Sequence, residues 1–129
     1  MEITHLNPES LFSNPAFSQG VLVRGASTTL YVGGQNGTDT SGAIVEGGLR
    51  PQTEQALRNV LAVLAEAGAD QSNVVRFAVY LVDGQSFEEG FAASASVWGM
   101  RPTAITGFKV AGLARPDALV EIEAVAVLD

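Results

Sequence analysis

Few residues in this chain could do covalent or acid–base chemistry, and counting excludes most combinations of them. There are no cysteines and a single histidine, His5. Thiolate nucleophiles, disulfides and cysteine-based zinc sites are therefore ruled out. One imidazole cannot build a histidine-rich metal site, and Asp39 and Asp83 stand isolated, so no metal is expected. Ser18 and Ser27 have only His5 as a base, and His5 falls in an N-terminal arm read as extended, which excludes serine-hydrolase chemistry. Gly33-Gly34-Gln35-Asn36-Gly37 is glycine-rich like a phosphate loop. It lacks the G-x-x-x-x-G-K-[ST] spacing, any lysine, and the G-x-G-x-x-G pattern, and reads as a turn leaving an edge strand. What remains is a pair of carboxylates, Glu121 and Glu123, in a strand-like run, with Arg76, Arg101 and Lys109 as candidate cationic partners.

Charge narrows the partners. Seven Lys and Arg against 14 Asp and Glu give a formal net charge of −7. That field repels phosphate backbones and anionic lipid surfaces, so neither nucleic acid nor membrane is an expected partner. No apolar run approaches the ~18 residues of a membrane span. The segment Met1-Glu2-Ile3-Thr4-His5 lacks the basic start of a secretory signal, and the expected compartment is the cytoplasm. Residues 1–129 suit one domain, because single cores commonly hold roughly 100–150 residues. Hydrophobic residues make up 47% and charged residues 16%. So thin a charged coat predicts that some apolar surface lies against another chain.

Residues 1–18, with Pro8 and Pro15, read as an irregular, extended lead-in. Val21–Arg24 and Thr28–Val32 are β-rich runs separated by Gly25-Ala26-Ser27, a hairpin signal. Leu57, Val60, Leu61 and Leu64 then form one helical stripe between Pro51, allowed in a first turn, and Gly68, suited to a helix end. Val74–Val82 reads as a strand, with Val75, Phe77, Val79 and Leu81 on one face and Arg76, Ala78, Tyr80 and Val82 on the other. Ser86 is an N-cap followed by Glu88 and Glu89 in the first turn of a second helix, which Gly99 and Pro102 stop. Phe87, Phe91, Ser94/Ala95 and Trp98 share one face of it. Thr103–Val110 and Leu119–Leu128 close the chain as strands.

The predicted order is β-β-α-β-α-β-β, an α+β fold with two helices on one face of a mixed sheet. On the last strand Val120, Ile122, Ala124 and Ala126 form the core face, and Glu121, Glu123, Val125 and Val127 the other. That second face is too apolar for water and too polar for a sealed core. Pairing it with the same face of neighbouring copies resolves both, which predicts a symmetric oligomer with clefts between subunits.

Five segments in this order resemble the Rid/YjgF family of reactive-intermediate (enamine/imine) deaminases: Asn14-Pro15-Ala16-Phe17-Ser18-Gln19-Gly20-Val21, Val32-Gly33-Gly34-Gln35, Gln52 to Val60, Ala67-Gly68-Ala69, and Val120 to Ala126. The resemblance implies a chorismate-mutase-like fold, a homotrimer with a barrel-like centre, and small-molecule pockets at the three subunit interfaces, without a cofactor. It also implies roles. Glu121 takes the position of the carboxylate that positions water or moves protons, and Gly34 and Thr106 those of pocket residues.

The same comparison exposes departures. The family's deaminases grip a substrate carboxylate with an arginine on the fifth strand, a bidentate contact. Here that place falls on Ala104 counting from Pro102, or on Ile105 counting back from Leu113. Phe17 stands for a tyrosine and Phe91 for an asparagine. Arg101, three or four residues upstream, is the guanidinium that could swing in instead. The implied pocket favours an apolar or aromatic ligand, with Glu121 partly desolvated beside the two phenyl rings. Two functions stay open. One is a divergent hydrolase or deaminase of enamine, imine or related C–N bonds using Glu121 and water, poor on 2-aminoacrylate. The other is a non-catalytic trimer that binds a small metabolite. A ribonuclease is disfavoured by the charge.

Overall fold

The computed structural model describes residues Met1–Asp129. Strands β1 (Glu2–Leu6), β2 (Gly20–Arg24) and β3 (Thr28–Gln35) precede helix α1 (Leu49–Glu66). Strand β4 (Val74–Val82), helix α2 (Phe87–Trp98), and strands β5 (Ala104–Val110) and β6 (Val120–Leu128) follow. The main sheet has the order β3-β6-β4-β5. Only β4 and β5 run parallel, joined through α2, so the sheet is mixed and the fold α+β as expected.

The N-terminal region departs from the sequence reading. Residues 2–6 are not irregular: β1 pairs antiparallel with β2, Glu2 opposite Arg24 and Leu6 opposite Gly20. Gly25-Ala26-Ser27 accordingly does not close a hairpin between β2 and β3, which belong to different sheets. A glycine with positive φ, here 73°, reverses the chain equally well when it carries it from one sheet to the next. Short polar-flanked runs such as Ile3-Thr4-His5 alternate too briefly to register as strands without their partner.

Both helices lie on one face of the sheet. Helix α1 has no side-chain cap at its start, but its end is a Schellman motif: Ala69 N–H donates to Leu64 C=O at 2.9 Å and Gly68 N–H to Ala65 C=O at 3.0 Å. Gly68 adopts φ 75° there. Helix α2 begins as predicted, the Ser86 hydroxyl accepting from Glu89 N–H at 3.2 Å. The core joins Leu57, Val60 and Leu64 of α1 to Val120, Ile122, Ala124 and Ala126 of β6 and to Phe77, Leu81 and Trp98. Phe77 and Trp98 meet edge to face with centroids 4.6 Å apart.

Two bulges shift the alternation. On β4 the register slips between Val74 and Arg76, so Val74 enters the core in place of Val75. On β3 it slips between Val32 and Gln35, at Gly33-Gly34. The strand therefore continues through the glycines to Gln35 rather than ending before them, and the extra residue re-aims the backbone over β6.

Candidate functional site

The predicted site residues fall into two groups on opposite faces of the main sheet. The first lines an apolar cleft of about 560 Å³ between α2 and the sheet, and includes Phe17, Phe91, Arg101 and Ile105. Phe77, Val79, Leu81, Val120 and Ile122 form its sheet wall, and Trp98 and Phe87 its helix wall. The wall is apolar because these are the core-facing positions of β4 and β6 at a place where α2 stands away from the strands. Phe87 closes one end: its ring fills the space where a side chain at Gly107 would start, a Cβ there lying 2.8 Å from Cε1. Lys109 Nζ rests 5.3 Å from the same ring, a cation–π contact at the rim.

Parallel pairing of β5 with β4 fixes which β5 residues belong to the cleft. Ile105 opposes Phe77, a cleft residue, whereas Ala104 opposes Arg76 and Thr106 opposes Ala78, both on the other face. Of the two positions considered for the family's arginine, only Ile105 therefore shares the face of Phe17 and Phe91. Arg101 lines the cleft mouth as an exposed side chain, close enough to Asp70 for its charge to help hold that carboxyl below its usual range. Hydrogen bonds from the Ser72 hydroxyl and backbone are the larger causes of that lowering. One buried polar atom adjoins the cleft without a partner, the hydroxyl of Thr53 on α1.

The second group centres on Glu121. Its carboxylate is half-buried on the far face, where Oε1 accepts from Asn36 Nδ2 at 3.2 Å. It lies directly over the Gly33-Gly34 bulge, and no cation stands within ion-pair distance of it. The expectation of Glu121 beside the phenyl rings is thus not met within one chain: Glu121 alternates with Val120 and Ile122, and those two face the cleft. Neighbouring Glu123 accepts from the Tyr80 hydroxyl at 2.7 Å. That bond is the main reason the Tyr80 phenol is held above its usual value, with burial and the charges of Glu123 and Glu121 adding and Arg76 opposing. Phe108 stacks on Tyr80 at 5.0 Å.

His5 and Ser18 correct a further expectation. Nδ1 of His5 lies 2.7 Å from the Ser18 hydroxyl, so the one histidine does meet a serine. The pair is nevertheless built as a tether. Ser18 is buried, its N–H donates to Thr103 C=O at 2.9 Å, and no carboxylate orients the imidazole. It fastens the β1–β2 hairpin to the start of β5. Nowhere do three or more His, Asp or Glu side chains gather as a metal site would require, and no helix is long and apolar enough to cross a membrane.

An α+β chain of this topology, with an apolar cleft on one sheet face and a held glutamate on the other, has clear relatives. Residues 9–128 match the family model described as Endoribonuclease L-PSP, and the chain belongs to this Rid/YjgF family. It is 38% identical over 113 residues to the 2-iminobutanoate/2-iminopropanoate deaminase of Rattus norvegicus, covering 87% of this chain and 80% of the relative. The human enzyme of the same name is 37% identical over 112 residues, covering 86% and 79%. Among solved structures, the Rid family protein YyfB of Yersinia pestis, itself of unknown function, superposes with TM-score 0.86 at 34% identity over 99% of this chain and 100% of that one. RidA of Psychrobacter sp. PAMC 21119 gives 0.72 at 28% identity, covering 97% and 98%. The relatives support imine or enamine deamination as the general activity of the family.

Proposed function

We propose that this protein is a cofactor-free hydrolase of imines, enamines or related C–N bonds, working at clefts between the subunits of a homotrimer. The observation that carries this reading is the separation of the site within one chain. Phe17, Phe91, Arg101 and Ile105 open on one face of the sheet, Glu121 and Gly34 on the other. A single ligand touches both only if a second copy lays its Glu121 face against the first copy's cleft. Closed symmetry repeats that contact three times in a trimer. The cytoplasm is the compartment that goes with this reading.

The chemistry needs one carboxylate and water. Water adds to the carbon of the protonated C=N group while Glu121 takes one of its protons, giving a neutral carbinolamine. Glu121 returns that proton to nitrogen, and the C–N bond breaks with its electron pair leaving on ammonia. As the C=O bond forms, Glu121 takes the hydroxyl proton and passes it to the ammonia, so a carbonyl compound and ammonium leave and the carboxylate is regenerated. The apolar walls around Ile105 favour a substrate with an apolar or aromatic body. The test is to generate imines with an amino-acid oxidase, from L-phenylalanine and from L-alanine, and to follow their decay. The phenylalanine-derived imine should decay faster with this protein, and Glu121→Gln should abolish the effect. Catalysis untouched by Glu121→Gln would overturn the assignment. One observation favours a second reading, a non-catalytic metabolite-binding trimer: the cleft presents Ile105 where a carboxylate clamp would stand. Retention of an aromatic ligand with no imine accelerated would establish it.

A further inference from the structure

Glu121 is held by a relay of side-chain amides that no part of the mechanism above uses. Asn36, one residue past β3, directs Nδ2 at two acceptors, the Val120 carbonyl at 3.0 Å and Glu121 Oε1 at 3.2 Å. Both partners only accept, so the NH2 end of the amide must face them. The Asn36 backbone is fixed in turn: Asn59 Nδ2, from α1, donates to Asn36 C=O at 3.1 Å and to Thr38 C=O at 3.0 Å. Gln55, one turn earlier on the helix, donates from Nε2 to Asn59 Oδ1 at 3.0 Å. The other carboxylate oxygen, Oε2, is pressed over Gly34.

We propose that Asn36 is a positioning residue for Glu121. Its amide occupies Oε1 and fixes the carboxylate in one rotamer, leaving Oε2 as the oxygen that exchanges protons with a molecule in the cleft. A long glutamate side chain loses rotamer freedom when pinned, and an acid–base group pays that cost before the reaction rather than during it. Glu121 has no cationic partner, and a neutral donor restrains its carboxylate without neutralising it. This proposal rests on the reading of Glu121 as acid–base group, so its test carries a readout independent of turnover.

The experiment compares wild type with Asn36→Leu, which removes the donor, and Asn36→Asp, which keeps the shape but places an acceptor against Oε1. Scalar couplings across the Glu121 χ1 bond, measured by NMR on glutamate-labelled protein, report its rotamer directly. The wild type should show one rotamer, and both variants averaged couplings, at thermal stabilities still allowing a folded spectrum. Averaged couplings in the wild type, or an unaveraged Glu121 in a folded variant, would overturn the proposal. If both variants fail to fold, the wild-type coupling decides alone. With the phenylalanine-derived imine as probe, kcat should fall about tenfold or more while KM stays within about twofold, because the interaction acts on the proton step rather than on binding. Unchanged kcat beside averaged couplings would equally overturn it. If the wild type turns over no imine, the catalytic reading fails on its own while the couplings still decide whether Asn36 holds Glu121.

Discussion

Gly34 and Glu121 share space that only a glycine leaves free: a Cβ on Gly34 would stand 2.6 Å from Glu121 Oε2 and 2.7 Å from Cδ. Gly34→Ala must therefore swing the carboxylate aside and break its contact with Asn36. The obstacle is the end of a flexible side chain, so folding should suffer by only about 1 kcal/mol, the low end of overpacking. Denaturant unfolding measures that cost. Imine turnover should fall by more than this stability loss accounts for, and equal turnover in the variant would show that the Glu121 orientation is irrelevant to chemistry.

Oligomer formation is best tested at Val125. The strand parity legible in sequence points to Val125 and Val127 alike, and the structure separates them. Val127 is 6% exposed within the chain already, so a charge there tests folding rather than assembly. Val125 is half-buried and lies opposite both Tyr31, which is 77% exposed, and Arg76. An aspartate at 125 would find Arg76 opposite it, and a lysine would find Glu123 two residues along the same face, so the neutral polar Val125→Asn is the cleaner choice. In the proposed trimer its amide would be buried without partners, and light scattering should show a shift toward monomer, since an unsatisfied buried polar group costs about 1–3 kcal/mol. Unchanged assembly in Val125→Asn would move the interface elsewhere.

The Tyr80–Glu123 bond sets a high-pH limit. Tyr80 is an acid whose folded-state value is raised above 10.0, so the folded protein holds that proton more tightly than the unfolded chain. Its contribution is fully present below the unfolded value and is lost as pH rises through the folded one. Tyrosinate absorbance in a Tyr31→Phe background should show Tyr80 ionising above 10.0, and Glu123→Gln should bring it down because that hydrogen bond is the largest cause of the rise. Ionisation at or below the ordinary value would contradict the geometry.

How far the sequence carries the fold can be traced to particular residues. The helix stripe of Leu57, Val60 and Leu64, the Ser86 cap and the alternation of β6 are local patterns, and each is found where its period predicts. The bulges at Val75 and at Gly33-Gly34 are not local: they exist because β6 imposes a register that two other strands must meet. The same holds for β1, visible only through its pairing with β2. For the site, motif positions singled out Phe17, Phe91, Ile105 and Glu121, but not that the sheet stands between the rings and the carboxylate. Asn36 escaped attention because its partners lie 84 and 85 residues away. An amide two residues past a Gly-Gly pair is the only hint the sequence offers.

Ile105 governs how this protein treats small imines. An amino-acid-derived imine carries a carboxylate, and a bidentate guanidinium contributes about 1.5–3 kcal/mol for each charge-assisted bond. Without it, at about 1.4 kcal/mol per factor of ten, the rate on small imines should be lower by roughly two orders of magnitude or more. The protein should therefore hydrolyse 2-aminoacrylate and 2-iminopropanoate poorly, measured as imine decay against an arginine-bearing relative. The structure makes the reverse experiment specific. Ile105 stands opposite Phe77 on the cleft face, whereas Ala104 stands opposite Arg76 on the far face. Ile105→Arg should raise activity on 2-iminopropanoate, and Ala104→Arg should not. Arg101→Ala is the companion control, because Arg101 lines the cleft mouth and is the one guanidinium there that could supply a grip. Rapid 2-iminopropanoate hydrolysis by the wild type that survives Arg101→Ala would show that a carboxylate is held without any guanidinium from this cleft, and the argument from the lost arginine would fall.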